Sequence, residues 1–315
     1  MSGLQARDHA WLPGASCDAS CVRAGAAGAS RPLKVALRVA LRGMLALPLL
    51  AALPLLVVPS PCRTELQRAY CRLVLCCFGV RITVSGGPIR NLRGVLVVSG
   101  HVSWLDVVTI GAVCPGSFVA RADVVTGPAV GIVARLMKVI PIERASLRRL
   151  PGVVDTVAGR LRAGHTVVVF PEGTTWCGLP GDDAGVAGGT PLQSGDPSRL
   201  RGTVQGGAGQ SHRGSGPFYP AMFQAAIDAG RPVQPLRLTY HHRDGSVSTA
   251  PAYVGDDTLL RSISRLVIAP RTLARVHVES LQVPNTDRRD LADRCHTAVR
   301  SAALQHPGRG HALVA

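Results

Sequence analysis

Four consecutive apolar residues, Val95 to Val98, followed at once by the breakers Ser99 and Gly100, constrain this chain more than any other stretch. A run without polar alternation suits a strand covered on both faces, the environment of a parallel sheet with helices above and below. Thr166 to Phe170 repeats the pattern and ends in Pro171. Around these two runs, Ser117–Arg121 and Val139–Ile142 read as strands, and Gly131–Met137 and Leu147–Ala163 as helices, the second closed by Gly164. A helix at Ala221–Ala229, a strand at Val233–Tyr240, a helix near Thr258–Leu266, a strand near Arg275–Val278 and a helix from Thr286 to Leu304 complete the series. Strand and helix in alternation specify an α/β fold with a mostly parallel central sheet flanked by helices. A chain of 315 residues holds one such domain with appendages.

The turn after the first apolar run carries chemistry. His101 follows Gly100, and Ser103 reads as a helix N-cap with Asp106 at the capping-box position, so Trp104 to Ala112 is expected to be helical. Five helical residues would rotate the two side chains roughly 500° apart. A turn followed by one helical turn instead lets the carboxylate fold back on the imidazole, fix its tautomer and stabilise the imidazolium, as a base with an orienting partner requires. A capping aspartate beside an unrelated histidine gives the same spacing. Ten histidines and fifteen aspartates make about half such a pair by chance, so the spacing needs a second signal.

That signal ends the second run: Phe170-Pro171-Glu172-Gly173-Thr174. With both blocks present, the sequence from about Arg81 to Leu304 resembles the 1-acyl-sn-glycerol-3-phosphate acyltransferase (lysophospholipid acyltransferase) family, whose members carry an HxxxxD block and an FPEGT block. The resemblance implies an O-acyltransferase that takes a fatty acyl chain from acyl-CoA or acyl carrier protein. The acceptor it implies is a lysophospholipid, foremost 1-acylglycerol-3-phosphate, giving phosphatidic acid. His101 would be the general base and Asp106 its partner. Arg144, after Glu143 at the end of Val139–Ile142, matches the second block, associated with the acceptor phosphate; spacing alone would make it a surface ion pair with Glu143. Val233-Gln234-Pro235 resembles a fourth block, which associates Pro235 with the acyl or acceptor channel; an ordinary strand start reads the same way.

Pro171 and Gly173 force a tight turn whose backbone N–H groups, with the Thr174 hydroxyl, can meet a phosphate or alcohol oxygen. Glu172, Gly173 and Thr174 are therefore candidate substrate-binding residues, with Glu172 either binding the acceptor hydroxyl or orienting a neighbouring donor. The family commonly continues with arginine, whereas Thr175 and Trp176 follow here, and Tyr219 stands where a basic residue often follows Pro217-Phe218. A threonine pair at this point looks more like the lyso-ornithine lipid branch. Transacylation between lipids is a further variant, and a basic membrane-binding adaptor with an inactive acyltransferase fold is the rival of a different class. There is no G-x-S-x-G nucleophile elbow, which argues against a serine lipase.

Charge points to the same surroundings. A net charge of +16 calls for an anionic partner, but aromatics are only 4% and no stripe of basic and stacking residues occurs, so an anionic membrane surface is favoured and no nucleic acid is expected. Residues 1–30 read as a disordered tail, 178–216 as a flexible insertion rich in Gly, Asp and Ser, and 306–315 as a second tail. The acyltransferase domain is expected over 81–305. Between 31 and 80, Gly43 to Val58 is uncharged but broken by Pro48 and Pro54, and Thr64 to Phe78 is amphipathic. Sixteen helical residues span about 24 Å, short of a bilayer core. A single crossing with the arginines inside would also carry the catalytic part away from cytosolic acyl donors. The segment thus reads as a pair of helices docked on the cytoplasmic face of the cell membrane; a helical hairpin buried against the domain is the alternative. Nine cysteines form no regular framework, reduced thiols are expected, and Cys17 and Cys21 lack a second pair, so neither a metal nor a cofactor is anticipated.

Overall fold

The computed structural model describes residues 13–15, 17–22, 32–57, 62–88, 93–122, 131, 134, 137–143, 146–179, 214–255 and 257–301. Arg144, the body of the insertion (180–213), the tail 306–315 and most of the helix expected at 131–137 lie outside the described residues.

Seven strands form one sheet: β1 (Val80–Gly86), β2 (Leu96–Ser99), β3 (Ser117–Arg121), β4 (Ile140–Ile142), β5 (Val167–Val169), β6 (Val233–His241) and β7 (Thr272–Val278). Their spatial order is β1-β7-β6-β2-β5-β3-β4. Every neighbouring pair is parallel except β6 with β7. Helices cover both faces. On one side lie α2 (Arg63–Cys77), α3 (Trp104–Val113) and α6 (Leu259–Ile268), packing Leu75, Leu105, Ile110 and Leu266 onto Val97, Phe118, Leu236 and Val276. On the other lie α4 (Leu150–Arg162), α5 (Ala221–Ala229) and α7 (Arg288–Ser301), packing Leu161, Phe223 and Leu291 onto Leu96, Val98, Val167 and Val169. Leu96, Val97 and Val98 are all fully buried and divide between the two layers, which is why no polar residue interrupts the run. Each such side chain contributes about 1.5–3 kcal/mol relative to an exposed one.

One strand escaped the sequence reading. β1 alternates Val80, Ile82 and Val84 with Arg81, Thr83 and Ser85, and lies at the sheet edge beside β7. Its period of two marks a half-covered strand rather than the continuous apolar run of the sheet centre.

The apolar helix α1 (Pro32–Ala52), continued by a 3-10 turn (Leu53–Val57), begins eleven residues before the uncharged stretch and takes in Arg38 and Arg42. Pro48 lies inside it without ending it. It is the one helix among the described residues long and apolar enough to cross a membrane by length and composition. Both arginines bind the domain. The Arg42 guanidinium is buried and donates to the carbonyls of Leu266 (2.9 Å), Val267 (2.7 Å) and Ala269 (2.9 Å), and Arg38 donates to that of Ile268 (2.7 Å). These are the unsatisfied carbonyls at the C-terminus of α6, where a cation also complements the helix dipole. Meanwhile Leu33, Leu37, Leu41, Met44, Leu47 and Leu50 of α1 stay exposed, as do Leu260 and Ile268 of α6.

Part of the expected N-terminal tail is also packed. Asp18 caps a 3-10 turn at Ala19–Cys21, and Cys17 and Cys21 are buried with Trp176, Cys177, Ala252 and Val254. Composition gave no sign of this, because Ala, Gly and Ser predominate around the two thiols.

Candidate active site

The site lies beyond the carboxyl ends of β2 and β5. These neighbouring strands send their following helices to opposite faces, α3 to one layer and α5 to the other. Such a divergence opens a crevice at the strand ends, where open α/β sheets bind ligands.

His101 stands in the turn after β2. Its Nδ1 is 2.8 Å from Oδ2 of Asp106, which also accepts the N–H groups of Val102 (2.6 Å) and Ser103 (2.8 Å). The capping box is complete, with the Ser103 hydroxyl accepting from the Leu105 N–H. Helix cap and histidine partner are therefore one carboxylate, and the cap fixes the distance at which it meets the ring. Oδ1 accepts the Tyr240 hydroxyl at 2.7 Å. With four donors converging on it, Asp106 acts as an acceptor, so the ring proton sits on Nδ1 and the lone pair on Nε2. Asp106 is fully buried whereas the His101 side chain is 18% exposed. The ring is open to solvent; its partner is not. Phe170 stacks on the ring with centroids 4.0 Å apart and planes 15° apart, fixing its face.

Glu172 is buried, and its two oxygens accept the N–H of His101 (2.7 Å) and of Gly216 (3.1 Å). Both oxygens are thus engaged by backbone donors of the chain itself. Burial pushes its carboxyl up to about 8, against the lowering effect of the two N–H donors and Arg300, while the Asp106 charge adds to the rise. The His101 backbone is also held from the other side, since the Trp176 N–H donates to its carbonyl at 2.7 Å. Gly173 has φ +70°, the left-handed turn that brings the chain back beneath His101, and a Cβ there would fall 2.6 Å from Pro13. Gly216 lies so close to the Trp176 indole that a Cβ would come within 2.5 Å of it. Thr174 is half-buried on the same turn. The Thr175 hydroxyl donates to the Tyr253 carbonyl.

His101, Asp106, Glu172, Gly173 and Thr174 are thus brought together at the strand ends. Pro235 is not among them. It pairs with Val98 inside β6, three residues and about 10 Å short of His101 along the strand direction. Having no N–H for the ladder, it sits where the pairing of β6 with the β7 side slips by a residue, Val233 opposite Gln282 but Leu236 opposite Val278. Tyr240 and Gly216 are site residues the sequence reading missed. Tyr240 is a buried residue near the end of β6, and nothing in its surroundings by sequence ties it to a residue 134 positions away.

A buried carboxylate hydrogen-bonded to a partly exposed histidine is an arrangement able to exchange protons with a bound substrate, and the comparisons supply the class. The Acyltransferase family model matches residues 81–239, and the chain belongs to that family. It is 30% identical over 247 residues to the lyso-ornithine lipid O-acyltransferase of Pseudomonas aeruginosa, covering 77% of this chain and 80% of that one. It is 27% identical over 249 residues to the 1-acyl-sn-glycerol-3-phosphate acyltransferase of Neisseria meningitidis, covering 78% and 84%. The fold matches the crystal structure of PlsC, the 1-acyl-sn-glycerophosphate acyltransferase of Thermotoga maritima, with a TM-score of 0.51 at 15% identity, over 89% of this chain and all of that one. The protein is an O-acyltransferase of the lysophospholipid acyltransferase type.

Proposed function

We propose that the enzyme moves a fatty acyl chain from an acyl thioester, acyl-CoA or acyl carrier protein, to the hydroxyl of 1-acylglycerol-3-phosphate, giving phosphatidic acid. The observation that carries the chemistry is the partly exposed His101 ring held by fully buried Asp106. Nε2 removes the hydroxyl proton as the acceptor oxygen attacks the thioester carbonyl. The tetrahedral adduct then expels the thiolate, which takes the proton from the imidazolium, and Asp106 offsets the ring charge between the two transfers. The acceptor is itself the nucleophile, so no acyl-enzyme forms. Glu172 acts as a positioning residue through the His101 N–H, and the Thr174 hydroxyl offers a polar group to the acceptor, the Gly173 N–H being spent on the Phe170 carbonyl, with Arg144 as the cation for the acceptor phosphate.

A second acceptor, lyso-ornithine lipid, is favoured by one observation: Thr175 is neutral and its hydroxyl is engaged by Tyr253, so this turn offers no cation at that position. Assays with acyl-CoA and each lyso-lipid in turn separate the two. Phosphatidic acid as the faster product supports the first; ornithine lipid formed at least about tenfold faster supports the second.

The apolar faces of α1 and α6 are read as docked into one leaflet on the cytoplasmic side, with Arg38 and Arg42 tying α1 to the domain. Apolar insertion is not screened by salt, whereas attraction of the +16 chain to anionic lipid is. Attachment to membranes is therefore expected to survive high salt while the rate of binding to anionic vesicles falls. Release by salt alone would leave an electrostatic contact and remove the insertion.

A further inference from the structure

The three sulfurs of Cys17, Cys21 and Cys177 all lie within 4.8 Å of one another, and all three residues are buried. They come from two separate stretches of the chain. Cys17 precedes the 3-10 turn and Cys21 ends it, and Cys177 follows Trp176 in the loop after β5. We propose that these three cysteines bind one zinc ion, a thiolate clip that fastens the N-terminal segment to the loop supporting His101.

Four observations support it. The Cys-x3-Cys spacing falls within the range usual for zinc ligands, and the Asp18-capped turn puts both sulfurs on one side. Sulfurs bound at the Zn–S distance in a tetrahedral site lie about 3.8 Å apart, so a shift of well under 1 Å closes the cluster on a cation. The Cys177 N–H donates to the Cys17 Sγ at 3.3 Å, the kind of backbone hydrogen bond that orients and stabilises a metal-bound thiolate. Finally, the described N-terminal segment brings few apolar side chains to this cluster, the two thiols with Ala15 and Val22, so metal ligation would add substantially to its hold on the domain. Among the described residues no histidine or carboxylate joins the three sulfurs, which leaves one position of the tetrahedron open. Binding displaces one proton from each thiol, and no oxidant is needed.

The consequence for the enzyme is positional. Pro13 lies against Gly173, and the residue before Cys177 donates its N–H to the His101 carbonyl. A clip at Cys177 thus braces the segment that sets the height of the catalytic ring.

The test is the metal content of the detergent-solubilised full chain, purified with reductant and without chelator, by mass spectrometry of the elements. About one zinc per chain is expected, lost in Cys177→Ser and in Cys17→Ser but kept in Cys76→Ser, whose thiol is exposed on α2. Cobalt added to metal-stripped protein should give thiolate-to-cobalt charge-transfer absorption that needs the same residues. Chelation should lower the thermal midpoint of the wild type and not that of Cys177→Ser. Wild-type protein with no zinc, or with copper in its place, or with Cys17 or Cys21 recovered as a disulfide overturns the proposal whether or not the variants fold. Stoichiometric zinc that survives Cys177→Ser overturns it equally.

Discussion

At the scale of single residues, the site depends on groups that never touch substrate. Tyr240 is buried, and among the described residues its hydroxyl is the one donor to Oδ1 of Asp106. Tyr240→Phe removes that hydrogen bond and keeps the ring, so folding should survive with a loss of about 1.5–3 kcal/mol. In kinetics, kcat should fall about tenfold with KM little changed, because the tyrosine acts on the base through its partner. A rise in KM with kcat intact would place it in substrate binding. Glu172 supports a pH prediction. An ordinary glutamate loses its proton near 4.5, whereas burial holds this one to about 8. Between those values the unfolded chain has released a proton that the folded chain keeps, so stability falls as pH rises from about 4.5 to 8. Denaturant midpoints measured across that window should decline in the wild type, and the decline should shrink in Glu172→Gln. The same variant should lose activity, since an amide NH2, which cannot accept, would face one of the two N–H donors, where a carboxyl keeps an oxygen even when protonated. Equal slopes for the two proteins would contradict the assignment.

At the scale of elements, the insertion can be cut without touching the site provided its edges are kept. The Gly178 N–H donates to the Gly214 carbonyl at 3.2 Å, and Gly216 holds Glu172. Replacing 181–212 by a short Gly-Ser link joins ends that already meet, and loop-closure entropy changes only slowly with length. The thermal midpoint should move by no more than a few degrees; a larger drop would mean that the removed stretch packs on the domain. Elements of this kind were legible because their signals are local. The strand at Ser117–Arg121 and the helix at Ala221–Ala229 sit where periodicity puts them, and Ser103 with Asp106 wrote the start of α3 into three residues. The pair His101 and Asp106 was readable for the same reason, being five residues apart. Contacts made only by the fold were not: Tyr240 with Asp106, Gly216 with Glu172, and Cys177 with Cys17 join residues 134, 44 and 160 positions apart. Glu172 itself was visible through its motif, but burial, which separates a positioning carboxylate from one that greets substrate, is a property of the folded state.

At the scale of the whole molecule, two layers of helices bury the centre of the sheet, the carboxyl ends of β2 and β5 present His101, and α1 with α6 leaves an apolar face uncovered. The arginines that close the C-terminus of α6 also fix how α1 sits on the domain, so the apolar face and the base keep a set relation to each other. A lyso-lipid acceptor carries its hydroxyl near the membrane surface, which is where such a frame would meet it. The central claim, that His101 is the base of an acyl transfer from thioester to lipid hydroxyl, is tested most directly by single-turnover reaction of acyl-CoA with lyso-lipid in vesicles, comparing wild type with His101→Ala. CoA thiol and acylated lipid should appear together in the wild type, and the variant, bound to the same vesicles and folded, should be slower by at least about 10²-fold. A variant within tenfold of the wild-type rate would contradict it.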